Sequence, residues 1–157
     1  MKDAVKKIIE DIFLHTNSTL SSCECVEDGP MVWFSVETPD SRYLIGRDGE
    51  TLRSLNHLVR KMAEKTINEE ESTRIFVDIN GYQKKQFDAL RATAHMMAER
   101  ARYFKSSISI DPMSAFERRI VHMFLQDQND LQTESEGVGS DRHVVIRYIG
   151  SEGSPTV

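Results

Sequence analysis

Tyr43-Leu44-Ile45-Gly46-Arg47-Asp48-Gly49-Glu50-Thr51-Leu52 is the stretch on which the reading of this chain turns. Gly46 and Gly49 stand three apart, with Arg47 and Asp48 between them. The apolar pair Leu44 and Ile45 leads in, and a long amphipathic pattern leads out. Glycine lets the backbone come close to a ligand because no Cβ intervenes. The helix that follows offers unpaired N–H groups and the positive end of its dipole to an anion. That is chemistry for a phosphate. Two glycines in a helix–helix turn also occur for structural reasons alone, so the flanking pattern has to decide.

Upstream, Val5, Ile8, Ile9, Ile12 and Phe13 repeat on one helical face and predict a helix over about 2–15. Leu20 to Glu27 reads as a strand, Asp28-Gly29 as a hairpin turn and Met31 to Glu37 as the returning strand. Pro39-Asp40 opens a short helix that ends at Gly46. Downstream, Leu52, Leu55, Val59 and Met62 predict a helix over about 50–67. Residues 68–72 read as a solvated turn, and Arg74 to Asn80 as a strand. Gly81 is the expected boundary, giving domains 1–80 and 81–149. The second holds a helix from Tyr82 to about Tyr103, with Phe87, Leu90, Ala94, Met97, Ala101 and Phe104 as its apolar stripe. A short strand at 107–110 follows. Ser114-Ala115-Phe116-Glu117 matches a capping box and starts a helix to about Gln126. Strands at 131–134 and 143–148 flank a Gly-containing turn, and residues 150–157 read as a flexible tail. The expected class is α+β.

At 157 residues with a net charge of −5, the chain lacks the overall basic character of an indiscriminate nucleic-acid binder. Its charge is uneven, however. Residues 42–65 hold six Lys/Arg against three Asp/Glu, and residues 82–105 hold six against two. Local potential matters more to a polyanion than the total. The chain has no apolar run near the ~20 residues of a membrane span, and its first residues lack a signal-peptide core, so neither membrane insertion nor export is expected. Cys23 and Cys25 have no further Cys or well-spaced His for a zinc site and read as reduced thiols. Asp127-Gln128-Asn129-Asp130 has some calcium-ligand character but lacks the Gly and closing Glu of an EF-hand loop. No metal or cofactor site is expected.

A second constellation lies on the helix that begins after Ser114. With Phe116 at zero and 100° per residue, Ile120 and Phe124 define a core stripe, while Arg118, His122 and Gln126 fall at about 200°, 240° and 280°. Arg119 lies beside them. An Arg and a His four apart can address one phosphate together, through a planar fork and a ring N–H. The ordinary alternative is a solvated helix face, with Arg118 paired to Glu117 or Asp127. Spacing alone favours the solvated face, since surface charge is the default.

The residues now assembled resemble a known pair of domains. Helix, strand, strand, short helix, Gly46-Arg47-Asp48-Gly49, long helix and strand resemble a type II KH domain, α-β-β-α-α-β. Arg118 to His122 resembles the Arg-x-x-x-His signature of an R-three-H domain, with two helices on a small, mostly antiparallel sheet. Together with Val77-Asp78-Ile79-Asn80-Gly81-Tyr82, Thr133-Glu134-Ser135-Glu136-Gly137 and Arg142-His143-Val144-Val145-Ile146, the chain is similar to the bacterial Jag family, also called SpoIIIJ-associated or KhpB proteins. The resemblance covers nearly all of residues 1–149. It implies a cytoplasmic, non-enzymatic protein that binds single-stranded RNA, with single-stranded DNA as the related ligand. The implied role is RNA-level regulation linked to the cell envelope or cell division. Implied contacts are Ile45, Gly46, Arg47, Asp48, Gly49, Leu52 and Arg53 around the glycine turn, and Arg118, Arg119 and His122 on the later helix. Arg42, Arg60 and Lys61 are weaker rim candidates. Many family members carry a further N-terminal domain, and this chain starts at the KH-like part.

Two rivals stay in view. A protein–protein adaptor would use exposed Trp33 or Tyr43, with a small KH-only protein or a second copy as partner. An enzyme would need a nucleophile–base pair with an orienting group, and the residues supply none, so no catalytic residue is assigned. His15, His57, His95 and His143 are read as surface or core residues.

Overall fold

The computed structural model describes residues 1–150; apart from Gly150, the tail expected at 150–157 lies outside them. The chain is α+β and divides into two compact units, Met1–Lys85 and Gln86 onward.

In the first unit, α1 (Lys2–His15) leads into the hairpin β1 (Ser22–Asp28) and β2 (Met31–Glu37). Gly29, at a φ of 58°, closes the turn that pairs Asp28 with Met31. Then come α2 (Ser41–Ile45), α3 (Glu50–Ala63), α4 (Glu69–Thr73) and β3 (Ile75–Ile79). The sheet order is β1-β2-β3, antiparallel then parallel, with Val32 opposite Ile75. This is the element order of the KH-like pattern, with one addition. Residues 68–72 are not a plain turn, because the Asn68 side chain accepts from Glu71 N at 2.7 Å and caps α4. The chain leaves α3 at Ala63, four residues earlier than the apolar pattern suggested.

Alternation explains the core. Val32, Phe34 and Val36 on β2 and Ile75, Val77 and Ile79 on β3 pack with Val5, Ile9 and Phe13 of α1 and Leu52, Leu55 and Val59 of α3. Each large apolar side chain so buried is worth about 1.5–3 kcal/mol against exposure. Trp33 is also buried, 1% exposed, with its ring 5.3 Å from Phe76 and the Lys84 ammonium over it. It is therefore not the exposed adaptor residue that the sequence suggested. Cys23 and Cys25 pack against this core as small apolar groups, and burial raises both thiols above their usual pKa.

Asn56, 2% exposed, lies on the buried face of α3. Its Oδ1 accepts from Val77 N at 2.7 Å, and its Nδ2 donates to Val77 O at 2.9 Å and to Gln83 Oε1 at 3.1 Å. β3 is an edge strand, whose outer N–H and C=O would otherwise go unpaired. The carboxamide takes the place of a neighbouring strand and locks α3 to β3. Asp78, also 2% exposed, accepts from Gln83 N at 2.7 Å; burial pushes its carboxyl up, opposed by the backbone N–H groups around it.

The second unit is built on α5 (Tyr82–Phe104), whose first turn belongs to the first unit. β4 (Ser107–Ser109), α6 (Ala115–Leu125), β5 (Leu131–Glu136) and β6 (His143–Tyr148) complete it. The sheet is β4-β6-β5 and antiparallel throughout. Ala94, Ala98 and Ala101 of α5 meet Val121 and Leu125 of α6 and Val144 and Ile146 of β6 in its core. Phe104 does not join them and is 63% exposed. It is the last residue of α5, at the edge of the stripe. Glu117 and Ser114 form the reciprocal capping box that starts α6. Asp130 and Gln128, the sequence's weak calcium candidates, instead hold Arg102 at 2.6 Å each.

Candidate functional site

The glycine turn is a strained piece of backbone. Gly46 has φ 72° and ψ −174°, a region that only glycine occupies without cost. Asp48 (φ 51°) and Gly49 (φ 75°) follow in the left-handed region. A Cβ on Gly46 would lie 2.1 Å from Thr51 Oγ1 and 3.0 Å from Thr51 N, so space and dihedral both demand glycine. At Gly49 a Cβ would come within 3.0 Å of the Tyr82 ring. Gly49 N bonds back to Gly46 O at 3.4 Å, and no side chain caps the N-terminus of α3. The Glu50 amide donates to Arg47 O, so what the end of α3 can offer an anion is the amides that follow it in the first turn.

The predicted contacts divide into groups. Arg47 and Asp48 are exposed at the tip. Ile45 is partly buried against the core beneath. Leu52 is 1% exposed and belongs to the core, so its side chain reaches no ligand. Arg53 Nη1 donates to Asp48 O at 3.0 Å; it braces the turn from behind. Arg60 and Lys61 sit near the far end of α3, roughly 15–18 Å along the axis from Gly49 at 1.5 Å per residue. Lys61 is paired there with Glu64 at 2.9 Å, so the turn gains nothing from either. Arg42 stays exposed on α2. Tyr82, read in the sequence as the start of a helix and part of the domain join, forms one wall of the turn. A bulky ring two residues past the strand-ending Asn80 was the available signal.

The second constellation is a pocket of about 450 Å³, open to solvent, lined by Arg118, Arg119, His122, Gln126, Thr133 and Ser135 among others. It brings all three predicted residues of α6 together. Arg118 does not pair with Glu117 or Asp127; its Nη1 donates to Met113 O at 2.7 Å, while Glu117 is spent on the Ser114 amide at 2.8 Å. His122 is not on a free solvated face either. Nδ1 lies 2.6 Å from Thr133 Oγ1 and Nε2 3.1 Å from Ser135 Oγ, both on β5. The core centre of α6 has shifted toward Val121 and Leu125, which places the polar stripe beside β5. Alternation points Thr133 and Ser135 into the pocket and Glu134 and Glu136 away from it, where Arg147 holds them. The pocket thus offers cations and hydroxyls without a carboxylate. Burial, aided by the charge of Arg118, holds the His122 imidazolium below its usual pKa.

Among the described residues, no group of His, Cys, Asp or Glu is placed to hold a metal ion, and no helix is long and apolar enough to cross a membrane.

Residues 88–148 match the R-three-H domain family. The chain is 30% identical over 147 residues, 93% of its length, to a Clostridium symbiosum protein named RNA-binding protein KhpB, 65% of which is covered. A protein of the same name from Bacillus subtilis (strain 168) is 28% identical over 124 residues, 78% of this chain and 59% of that one. The namesake from Streptococcus pneumoniae serotype 2 is 25% identical over 111 residues, 71% of this chain and 33% of that one. The chain spans less than two thirds of the length of each of these relatives.

Proposed function

This chain belongs to the KhpB (Jag) family, and on that premise we propose that it is a non-enzymatic protein that binds single-stranded RNA by its sugar–phosphate backbone. The observation that carries the reading is the convergence of Arg118, Arg119 and His122 with two hydroxyls on one open, carboxylate-free pocket. A phosphodiester asks for positive charge and several short-range donors, and these side chains supply both. The Gly46–Gly49 turn takes a second stretch of about four nucleotides, as a KH-type loop does. There the amides of α3 and Arg47 make the contacts, Asp48 weakens them, and Arg53 and Tyr82 hold the turn in shape. Each site is modest alone, and linkage in one chain raises the effective concentration at the other. Phosphate contacts carry no base identity, so binding is tolerant of sequence. We place the protein in the cytoplasm, in RNA-level regulation linked to the cell envelope or cell division.

Fluorescence polarisation with a labelled single-stranded RNA at fixed salt tests this reading. Replacing Arg118 and His122 together by Ala should weaken binding about tenfold, since two ionic contacts in a solvent-open pocket are worth about 0.7 kcal/mol each. Affinity should also fall steeply with salt as counterions return to the strand. Wild-type protein that ignores RNA, or a double variant that binds it unchanged, would sink the reading. A DNA strand of the same sequence measures the preference for RNA. Tyr43, 76% exposed on α2, favours a second reading in which the first unit also docks a small KH-only protein or a second copy. A nuclease-resistant pull-down that Tyr43→Ser abolishes supports it, and one that Tyr43→Ser leaves intact rejects it.

A further inference from the structure

The last turn of α5 carries an aromatic pair that neither site above uses. Tyr103 is 81% exposed and Phe104 63%. Their ring centroids lie 5.0 Å apart at an interplanar angle of 88°. Two neighbouring aromatic rings in water leave a large apolar area uncovered.

Three observations bear on what covers it. The pair is carried on a closed helix end, because Lys105 N bonds Arg102 O at 3.3 Å and Ser106 N bonds Ala101 O at 3.2 Å, the double closure of a Schellman motif. The residue that closes it is Lys105, at a φ of 49°. The other non-glycine residues of positive φ among those described are Asn17, Asp48 and Asn80, types that tolerate this region. Glycine would sit at position 105 more cheaply, so a cation stands beside the rings at a conformational cost. Finally, helical spacing puts Met96 and Arg100 on the face of Tyr103, seven and three residues back. Met96 is 51% exposed, and Arg100 is exposed too. Among the described residues, no ion pair engages Arg100 or Lys105, whereas Arg102 is committed to Glu99 and Asp130. In a chain of net charge −5, this stripe presents two aromatic rings, a thioether and two available cations. The one carboxylate at its border, Glu99, is already paired.

We propose that Tyr103 and Phe104 form a base-stacking platform for single-stranded RNA, with Arg100 and Lys105 on the adjoining phosphates. The inference rests on the RNA-binding reading above and adds to it a contact with bases. Every base has a π-face, so stacking keeps binding tolerant of sequence while adding grip. Edge-to-face packing props each ring with the other and leaves outer faces open. The flanking cations favour a polyanion over an apolar protein surface.

The test titrates a fluorescein-labelled uridine oligonucleotide into the full chain. Tyr103→Ala with Phe104→Ala should weaken binding about tenfold, a typical cost of losing one stacked base. Tyr103→Phe should keep it, since the ring and not the hydroxyl stacks. A Tyr103→Trp variant should lose fluorescence as RNA is added, beyond any change at buried Trp33 measured in the wild type. Binding of the double-alanine variant within about twofold of a binding wild type overturns this inference alone. So does a Tyr103→Trp signal that RNA leaves unmoved, or a concentration-dependent dimer that the double variant abolishes. A wild type that binds no RNA overturns the broader reading and this one with it.

Discussion

The turn at Gly46–Gly49 and the pocket around Arg118 and His122 approach the same chemistry from opposite directions. The turn is made of backbone. Three of its four residues have positive φ, and the donors proposed for it are main-chain amides at the start of α3. The pocket is made of side chains on a regular helix and a regular strand, with hydroxyls of β5 opposite cations of α6. A site of the first kind is fixed by what is missing, the Cβ atoms. One of the second kind is fixed by which residues the register brings together. The turn should therefore be intolerant of any added atom at its glycines and lenient toward its exposed tip, and the pocket the reverse.

Gly46→Ala tests that contrast most severely. An L residue at φ 72°, ψ −174° costs about 1–3 kcal/mol, and the new Cβ meets Thr51 at 2.1 Å. We expect the first unit to lose about 3 kcal/mol in urea unfolding and the turn to lose its share of RNA affinity. Adding Thr51→Ala removes the collision with Oγ1 but not the dihedral, so the pair should recover only part of the stability. Full recovery would mean that crowding alone, and not backbone conformation, demands glycine there.

The two regions also differ in how far they could be read in advance. Periodicity and turn residues gave the element order, because Val32, Phe34 and Val36 alternate and Leu52, Leu55 and Val59 repeat helically around visible punctuation at Gly46 and Gly49. The glycine turn was legible for the same reason, since its chemistry lies in the residue types themselves. What reached across elements was not legible. Asn56 looks like a surface residue until β3 is seen to present its edge to it. Leu52, an implied contact of the turn, lies in the core among α1 and the sheet. Trp33 looked exposable until Phe76 and Lys84 were found against it. In the pocket, spacing put Arg118 and His122 on one stripe, but Thr133 and Ser135 enter through strand register, which no local pattern on α6 reveals.

A milder break is Arg47→Glu. Arg47 is exposed at the tip and bears no structural duty, so stability should stay within about 0.5 kcal/mol of wild type. RNA affinity should fall several-fold, as about 1 kcal/mol of phosphate attraction turns to repulsion beside Asp48. Unfolding curves that move with Arg47→Glu would show the tip to be structural and would blur the contrast with Gly46.

The smallest expected effect is the one that only the pocket should show. Burial and Arg118 keep His122 neutral to lower pH than a free imidazole. Its facing partners on β5 are the neutral Thr133 and Ser135; of the charges on its own helix, Arg118 and Arg119 line the pocket, while Glu117 is held at the Ser114 amide. With a depressed folded-state pKa, the unfolded chain takes up the proton first, so unliganded stability declines as pH falls from about 6.5 through the lower folded value. A phosphate in the pocket has the opposite sign. It favours the imidazolium and raises its pKa, so RNA binding takes up a proton and strengthens across the same falling window. The backbone amides of the turn do not titrate and add no slope. Dissociation constants measured between about pH 8 and pH 5.5 should therefore improve a few-fold in wild type and stay flat in His122→Gln. An equal slope in both would place the responsive group outside the pocket. A flat wild type would mean that no phosphate comes near His122, leaving Arg118 and Arg119 to bind without it.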